Sequence, residues 1–159
     1  MAVNPPVCTP QKGILLAMKR TVPASLDALE PVSLELRDAL ASCSRADIFA
    51  SELLCREALA NAALHGCRLD ETRNVVFAAK LRADRLTMMI TDEGPGFDWR
   101  SVSTHTPGDC DICGRGMAIY ECYADRVRFN RSGNRLALVR RFGNRNTESI
   151  GLKTREKEA

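Results

Sequence analysis

The stretch Ser51-Glu-Leu-Leu-Cys-Arg-Glu-Ala-Leu-Ala-Asn-Ala-Ala-Leu-His-Gly66 decides how this chain is read. It is rich in Ala, Leu, Glu and Arg, holds no Pro, and carries Gly only at its end, so it is expected to be a helix. At about 3.6 residues per turn, Phe49, Leu53, Leu54, Ala60 and Leu64 share one apolar arc. Glu57 and Asn61 fall inside the same arc, one turn apart. A carboxylate buried without a partner is costly, so that position calls for a donor, a cation or a ligand. The two side chains are also close enough to act on one object. That makes them the seed of a site.

The 159 residues are enough for one domain with a core of its own. A hydrophobic share of 45% is ordinary for a globular chain and excludes a disordered one. Twenty-three Lys+Arg against 20 Asp+Glu leave a formal charge of +3, too little to argue for direct nucleic-acid binding. Much of the excess lies in residues 126–145. The apolar runs fall far short of the roughly 20 residues that cross a bilayer, and the N-terminus lacks the apolar segment of a signal peptide. A cytoplasmic protein without membrane contact is expected. Seven Cys, an odd count with no export signal, point to reduced thiols.

Upstream of the Glu57 helix, residues 1–11 carry Pro5, Pro6 and Pro10 and read as a flexible lead-in. Residues 14–22 are expected as a strand. Pro23-Ala-Ser-Leu26 opens a helical stretch to about Cys43, which Pro31 should kink or split. Ser44-Arg-Ala-Asp47 reads as a short turn. Downstream, residues 73–82 and 85–91 read as two strands joined at Ala83-Asp84. Residues 92–114 form a long loop punctuated by Gly94, Pro95, Gly96, Pro107 and Gly108, of the kind that serves as a lid. Residues 116–123 read as a short helix, and 126–131 with 135–142 as a hairpin around Ser132-Gly-Asn134. This order fits an α+β fold: a two-layer sandwich, its mostly antiparallel sheet covered on one face by helices. One domain is expected over residues 12–142, followed by a polar tail over 143–159.

Two further segments bear chemistry. Leu86, Met88 and Ile90 share a strand face, and Asp92 has the same parity, so its carboxylate should hang from the apolar side. Glu93-Gly-Pro-Gly-Phe97 follows, where Gly94 and Gly96 allow a tight turn and close approach of a ligand. A buried carboxylate there suits an amino group on a flat ring; an ordinary turn after a strand carries the same letters. Gly114-Arg-Gly-Met117 opens a helix, whose start favours an anion, with Arg115 adding a charged contact. A plain loop-to-helix junction reads the same way.

Taken in order, Glu-x-x-x-Asn-Ala-x-x-His-Gly, Asp-x-Gly-x-Gly-Phe and Gly-Arg-Gly-Met resemble the N-box and two glycine boxes of the GHKL ATPases. Within that superfamily the chain looks like the small anti-sigma-factor serine kinases. A histidine kinase would need a helical hairpin with a phosphoacceptor His upstream, and no His precedes Glu57. The resemblance implies the Bergerat ATP-binding fold over residues 14–142, with ATP and Mg²⁺ as cofactors. By it, Asn61 binds Mg²⁺, Glu57 is the general base, and Asp92 accepts from the adenine amino group. Gly94 and Gly96 shape the adenine pocket; Gly114, Arg115, Gly116 and Met117 close on the phosphates. It also implies a STAS-domain anti-anti-sigma substrate, a sequestered sigma factor or similar target, and a homodimer.

Some features depart from the family pattern. Ala118 stands where many relatives have glycine, and Arg115 aligns only up to a one-residue choice. His65 fits the N-box, and equally fits a helix end, where the dipole favours it. A non-catalytic, ATP-dependent partner-binding switch is an alternative. So is a thiol or zinc sensor built on Cys110-Asp-Ile-Cys113, with His105 as a third ligand. Cys55, Cys67 and Cys122 are expected to be packing residues, and Phe97 and Trp99 to anchor the lid base.

Overall fold

The computed structural model describes residues 13–101 and 112–142, and of residues 112–115 the backbone alone. Strand β1 (Leu16–Pro23) leads to helix α1 (Leu26–Ala39) and helix α2 (Arg45–Asn61), which runs on into a π-helical turn (Ala62–Gly66). Strands β2 (Asn74–Arg82) and β3 (Arg85–Asp92), helix α3 (Ile112–Tyr123) and strands β4 (Arg126–Phe129) and β5 (Arg135–Arg141) complete the order. The strands form one antiparallel sheet in the order β1-β2-β3-β5-β4. The fold is α+β, as the order of elements implies.

Alternation in the strands creates the core. Val75, Phe77, Ala79 and Leu81 on β2, and Leu86, Met88, Ile90 and Asp92 on β3, are buried in turn while their neighbours are not. Leu36 from the first helix and Leu40 just past its end, with Leu54 and Leu59 from the second, are fully buried over that face. Both helices start on side-chain caps. Ser25 Oγ accepts from the Ala28 N–H at 3.3 Å, and Ser44 Oγ from the Asp47 N–H at 3.1 Å. Ser44-Arg-Ala-Asp47 is therefore the start of α2 rather than a turn before it.

Three local expectations are corrected. Pro31 neither splits nor ends α1. It lies in the second turn, where it removes only the bond to the Asp27 carbonyl. Pro31 and Asp27 are both exposed, so the lost bond falls on the solvent side, while Leu29, Val32 and Leu36 hold the opposite face. The buried face of α2 is Ala50, Ser51, Leu54, Cys55, Ala58 and Leu59, turned by more than one residue step from the expected arc, with which it shares only Leu54. Ala50 and Ala58, with Ala62 at the start of the π turn, let the helix lie close to the sheet. Phe49, 59% exposed, packs edge-on against Tyr123 of α3 instead, with centroids 6.1 Å apart. Cys122 is exposed, so it is no packing residue, whereas Cys55 and Cys67 are buried. Burial pushes the Cys55 thiol up to about 12.

Arg140 pins the helices to the sheet. Its parity on β5 puts it on the core face, 7% exposed. Its guanidinium donates to the Tyr123 carbonyl at 2.9 Å and to Asp47 Oδ1 at 2.7 Å, joining the start of α2 to the end of α3. Arg140→Ala would strand the Asp47 carboxylate and is expected to cost about 3 kcal/mol. Arg140→Met with Asp47→Leu should recover most of that loss. Urea denaturation of both variants checks this; equal losses in the two would contradict it.

Candidate functional site

The end of α2, its π turn, the end of β3, α3 and the β4–β5 hairpin enclose a cavity of about 160 Å³. Asn61, Asp92, Gly96 and Met117 line it, together with Ala58, Ala62, His65, Gly66, Phe97, Tyr120, Phe129 and the hairpin residues Gly133 and Asn134. Four separate sequence segments thus contribute to one apolar hollow with a few polar groups, the usual make-up of a small-molecule site.

Asp92 sits at its floor, 9% exposed. Its Oδ1 accepts from the Gly94 N–H at 2.8 Å. Burial raises its pKa above the usual carboxylate range, against the Gly94 hydrogen bond and the Arg73 charge, which pull it down. The backbone around it is tight. A Cβ at Gly66 would lie 2.6 Å from either Asp92 carboxylate oxygen, and one at Gly94 would overlap the Gly66 carbonyl. The π turn makes this contact possible. Its wider i→i−5 winding, with Cys67 N–H donating to the Ala62 carbonyl at 2.8 Å, delivers Gly66 against the strand end.

Gly96 has φ +80° and faces the hairpin turn, where Gly133 has φ +79°. A Cβ on either would overlap the other segment's backbone, Ser132 in one case and Phe97 in the other. The glycine turn is therefore docked on the hairpin. Phe97 and Trp99 both pack on Phe129, at 5.4 and 5.7 Å between centroids, and Trp99 Nε1 donates to the Asn130 carbonyl at 2.9 Å. Phe97 and Trp99 hold the base of the loop.

At the other end, Asn61 Nδ2 donates to the Tyr120 hydroxyl at 2.8 Å. Its Oδ1 accepts no hydrogen bond from the described residues. A Cβ at Gly116 would lie 2.5 Å from Asn61 Nδ2, so α3 crosses Asn61 at a glycine. Burial, and the Glu57 charge with it, raise the Tyr120 pKa, so that hydroxyl keeps its proton.

Glu57 is not in the cavity wall. It is half-buried, one turn before Asn61, and borders a neighbouring groove with Leu26, Leu29, Ser33 and Arg56. Gly114 and Gly116 lie within α3, not before it, because the helix starts at Ile112. The Gly114 N–H still belongs to the unpaired first turn. The Arg115 side chain, His105, Cys110 and the Cys113 side chain lie outside the described residues. Among the described residues no group of three or more His, Cys, Asp or Glu is arranged to hold a metal.

Gly66, Tyr120, Phe129 and the hairpin tip were missed as site residues. Gly66 had a signal, as the last letter of the Glu57 box. Tyr120 and the tip had none, since only the fold brings them to the cavity.

Comparisons with known proteins place this geometry. A search of curated proteins finds no match. A solved structure of the RsbU and RsbW domains of Rv1364c from Mycobacterium tuberculosis is similar, with a TM-score of 0.56 and 20% identity over 80% of this chain. The likeness is one of fold, and this chain covers 31% of that one. The family model described as the histidine kinase-like ATPase domain matches residues 22–140. The buried Asp92 between close-packed glycines, and Asn61 at the helix end across the cavity, lie inside that span. The chain belongs to the histidine kinase-like ATPase domain family.

Proposed function

We propose that this chain is a Mg-ATP-dependent serine/threonine protein kinase of the anti-sigma-factor type. It phosphorylates a STAS-type anti-anti-sigma antagonist and sequesters a sigma factor or a similar target in a partner-switching circuit. It works in the cytoplasm as a homodimer, apart from membranes. The observation that carries the nucleotide part is the Asp92 carboxylate, buried at the floor of an apolar cavity between Gly66 and Gly94. A buried carboxylate is expensive unless donors meet it, and the Gly94 N–H supplies only one. The exocyclic amino group of adenine is such a donor, and Gly66, where any side chain would run into the carboxylate, leaves it free to be met, while Gly94 and Gly96 let the surrounding backbone close up around it.

The other residues suit the rest of the ligand. Phe97 and Phe129 border the ring space. Asn61 offers Oδ1, a hard oxygen of the kind Mg²⁺ takes alongside retained waters. Bound Mg²⁺ would offset phosphate charge, the main requirement of phosphoryl transfer. Tyr120 fixes the rotamer of Asn61, and Met117 closes the cavity beside it. Gly114, Arg115 and Gly116 lie on the α3 side, toward the phosphates. Glu57, one turn back, takes the proton from the acceptor hydroxyl.

Asp92 also sets a pH dependence. Adenine needs the ionised carboxylate, and burial raises its pKa. Affinity is therefore full above the raised pKa and falls on acidification, beginning at a higher pH than an ordinary Asp would give. Fold stability runs the other way. The contribution of Asp92 is fully present below the ordinary Asp pKa and is lost as pH rises through the raised one. Calorimetric ATP titrations across the acid range, with Asp92→Asn as the control that lacks this titration, check the first statement.

The placement of Glu57 beside the cavity, not in its wall, favours a second reading: an ATP-dependent switch that grips its partner without transferring phosphate. Incubation with Mg-ATP and a STAS-domain protein separates the two. The kinase reading expects phosphoserine or phosphothreonine on the acceptor, and its absence with ATP bound leaves the switch.

A further inference from the structure

The sheet has a second face, which no helix covers among the described residues. Register places its residues in rows. One row runs Lys19, Ala78, Met89, Ala137, Arg128; the next runs Ala17, Lys80, Thr87, Val139, Arg126. Thr21, Val76, Thr91 and Arg135 make a third row, and Arg82, Arg85 and Arg141 stand together at one end. The strand positions of this face carry eight cationic side chains and no carboxylate. The whole chain has a net charge of only +3, so the charge is segregated here.

The layout is a border around a centre. Met89, on the middle strand, is 41% exposed and has Ala78 and Ala137 on either side. The cations stand mostly at the perimeter, on the β1–β2 side, along β4 and at the strand ends. Of them, only Arg85 has an ion pair among the described residues, with Asp84 at 3.7 Å. The other nearby carboxylates are engaged with backbone: Asp125 with the Arg141 N–H at 2.6 Å, Glu93 with the Asn74 N–H at 2.7 Å.

We propose that this face, with Met89 at its centre and a border including Lys19, Arg126 and Arg128, docks a protein partner that presents an acidic rim around an apolar spot. An apolar centre within a polar rim, with Met and Arg in prominent places, is the anatomy of a protein interface. Single-stranded nucleic acid is bound by aromatic platforms, and this face holds no aromatic residue. A second copy of the same face would set cations against cations, which like-charge repulsion opposes. Apart from Arg135, which also lines the nucleotide cavity, the residues of the docking face lie outside it, so the proposal stands or falls independently of the kinase reading.

The test uses the full chain and a labelled synthetic helix with a Leu stripe flanked by Glu, read by fluorescence anisotropy. Binding is expected, and weaker as salt rises toward 0.3 M, where the Debye length drops to about 6 Å. Arg126→Ala with Arg128→Ala, and separately Met89→Thr, should each reduce affinity by about tenfold. Their urea midpoints and ATP affinity should stay unchanged. A Glu/Ser helix of equal charge should bind several-fold more weakly. The proposal is overturned if the peptide fails to bind or ignores these substitutions. It is equally overturned if a 20-nucleotide single strand, a DNA duplex or phosphatidylglycerol vesicles bind this face as tightly as the peptide. A tenfold gain in peptide affinity on Glu148→Gln, Glu156→Gln and Glu158→Gln together would identify the chain's own tail as the occupant, and would likewise overturn it.

Discussion

Glu57→Gln is expected to leave Mg-ATP affinity within about twofold of the parent and to cut phosphoryl transfer by about 10²–10⁴-fold, the range of a positioned general base. Gln keeps the length and shape of Glu, so α2 and its packing are undisturbed. Glu57 does not line the cavity, and nucleotide affinity has no reason to change. It stands one turn before Asn61, and its charge reaches the Tyr120 hydroxyl that Asn61 bonds. That is where a base facing the phosphate end belongs. Calorimetry gives the affinity, and phosphate incorporation into a STAS-domain acceptor gives the rate. A variant that binds and transfers as the parent does would remove Glu57 from the chemistry and leave the switch reading.

Asn61→Ala is expected to remove the Mg²⁺ dependence of nucleotide binding. An outer-shell partner of a metal ligand is worth about 10–100-fold, so loss of the ligand itself should lower Mg-ATP affinity by at least about 100-fold. Affinity for ATP in EDTA should change little, because Asp92 and the adenine end are untouched. Tyr120→Phe removes only the bond that fixes Asn61. It should shift Mg-ATP affinity by about fivefold, near the ~1 kcal/mol of one hydrogen bond. The graded pair distinguishes a metal ligand from a general packing defect. Equal losses with and without Mg²⁺ in Asn61→Ala would contradict the assignment.

The strands were the most legible part of the chain, because a period of two leaves little freedom. Leu86, Met88, Ile90 and Asp92 alternate cleanly, and that alternation alone placed Asp92 on the core face, where it lies. The glycine turn after it and the Ser132-Gly-Asn134 hairpin were read from turn chemistry. The face of α2 was misread because Phe and Leu outweighed Ala in the pattern. In the fold, small side chains mark the close contact and Phe49 is left outside. The start of α3 was placed late because Gly114 and Gly116 looked like a break, yet Gly116 is tolerated where the helix crosses Asn61. Arg140 shares the parity of Leu136 and Leu138, yet beside Arg141 it reads as surface until Asp47 is seen beneath it. The contact of Gly66 with Asp92 depends on a π turn that leaves no periodic trace.

The central claim is that Asp92 reads the adenine amino group, and comparing ATP with inosine triphosphate on the parent protein tests it most directly. Inosine carries a carbonyl where adenine carries the amine, so the Asp92 carboxylate would face an oxygen in place of a donor. Losing a hydrogen bond to a charged group costs about 1.5–3 kcal/mol, so ATP should bind roughly 10–150-fold more tightly than inosine triphosphate. Asp92→Asn should erase most of that preference. Equal affinity of the parent for the two nucleotides would contradict the account.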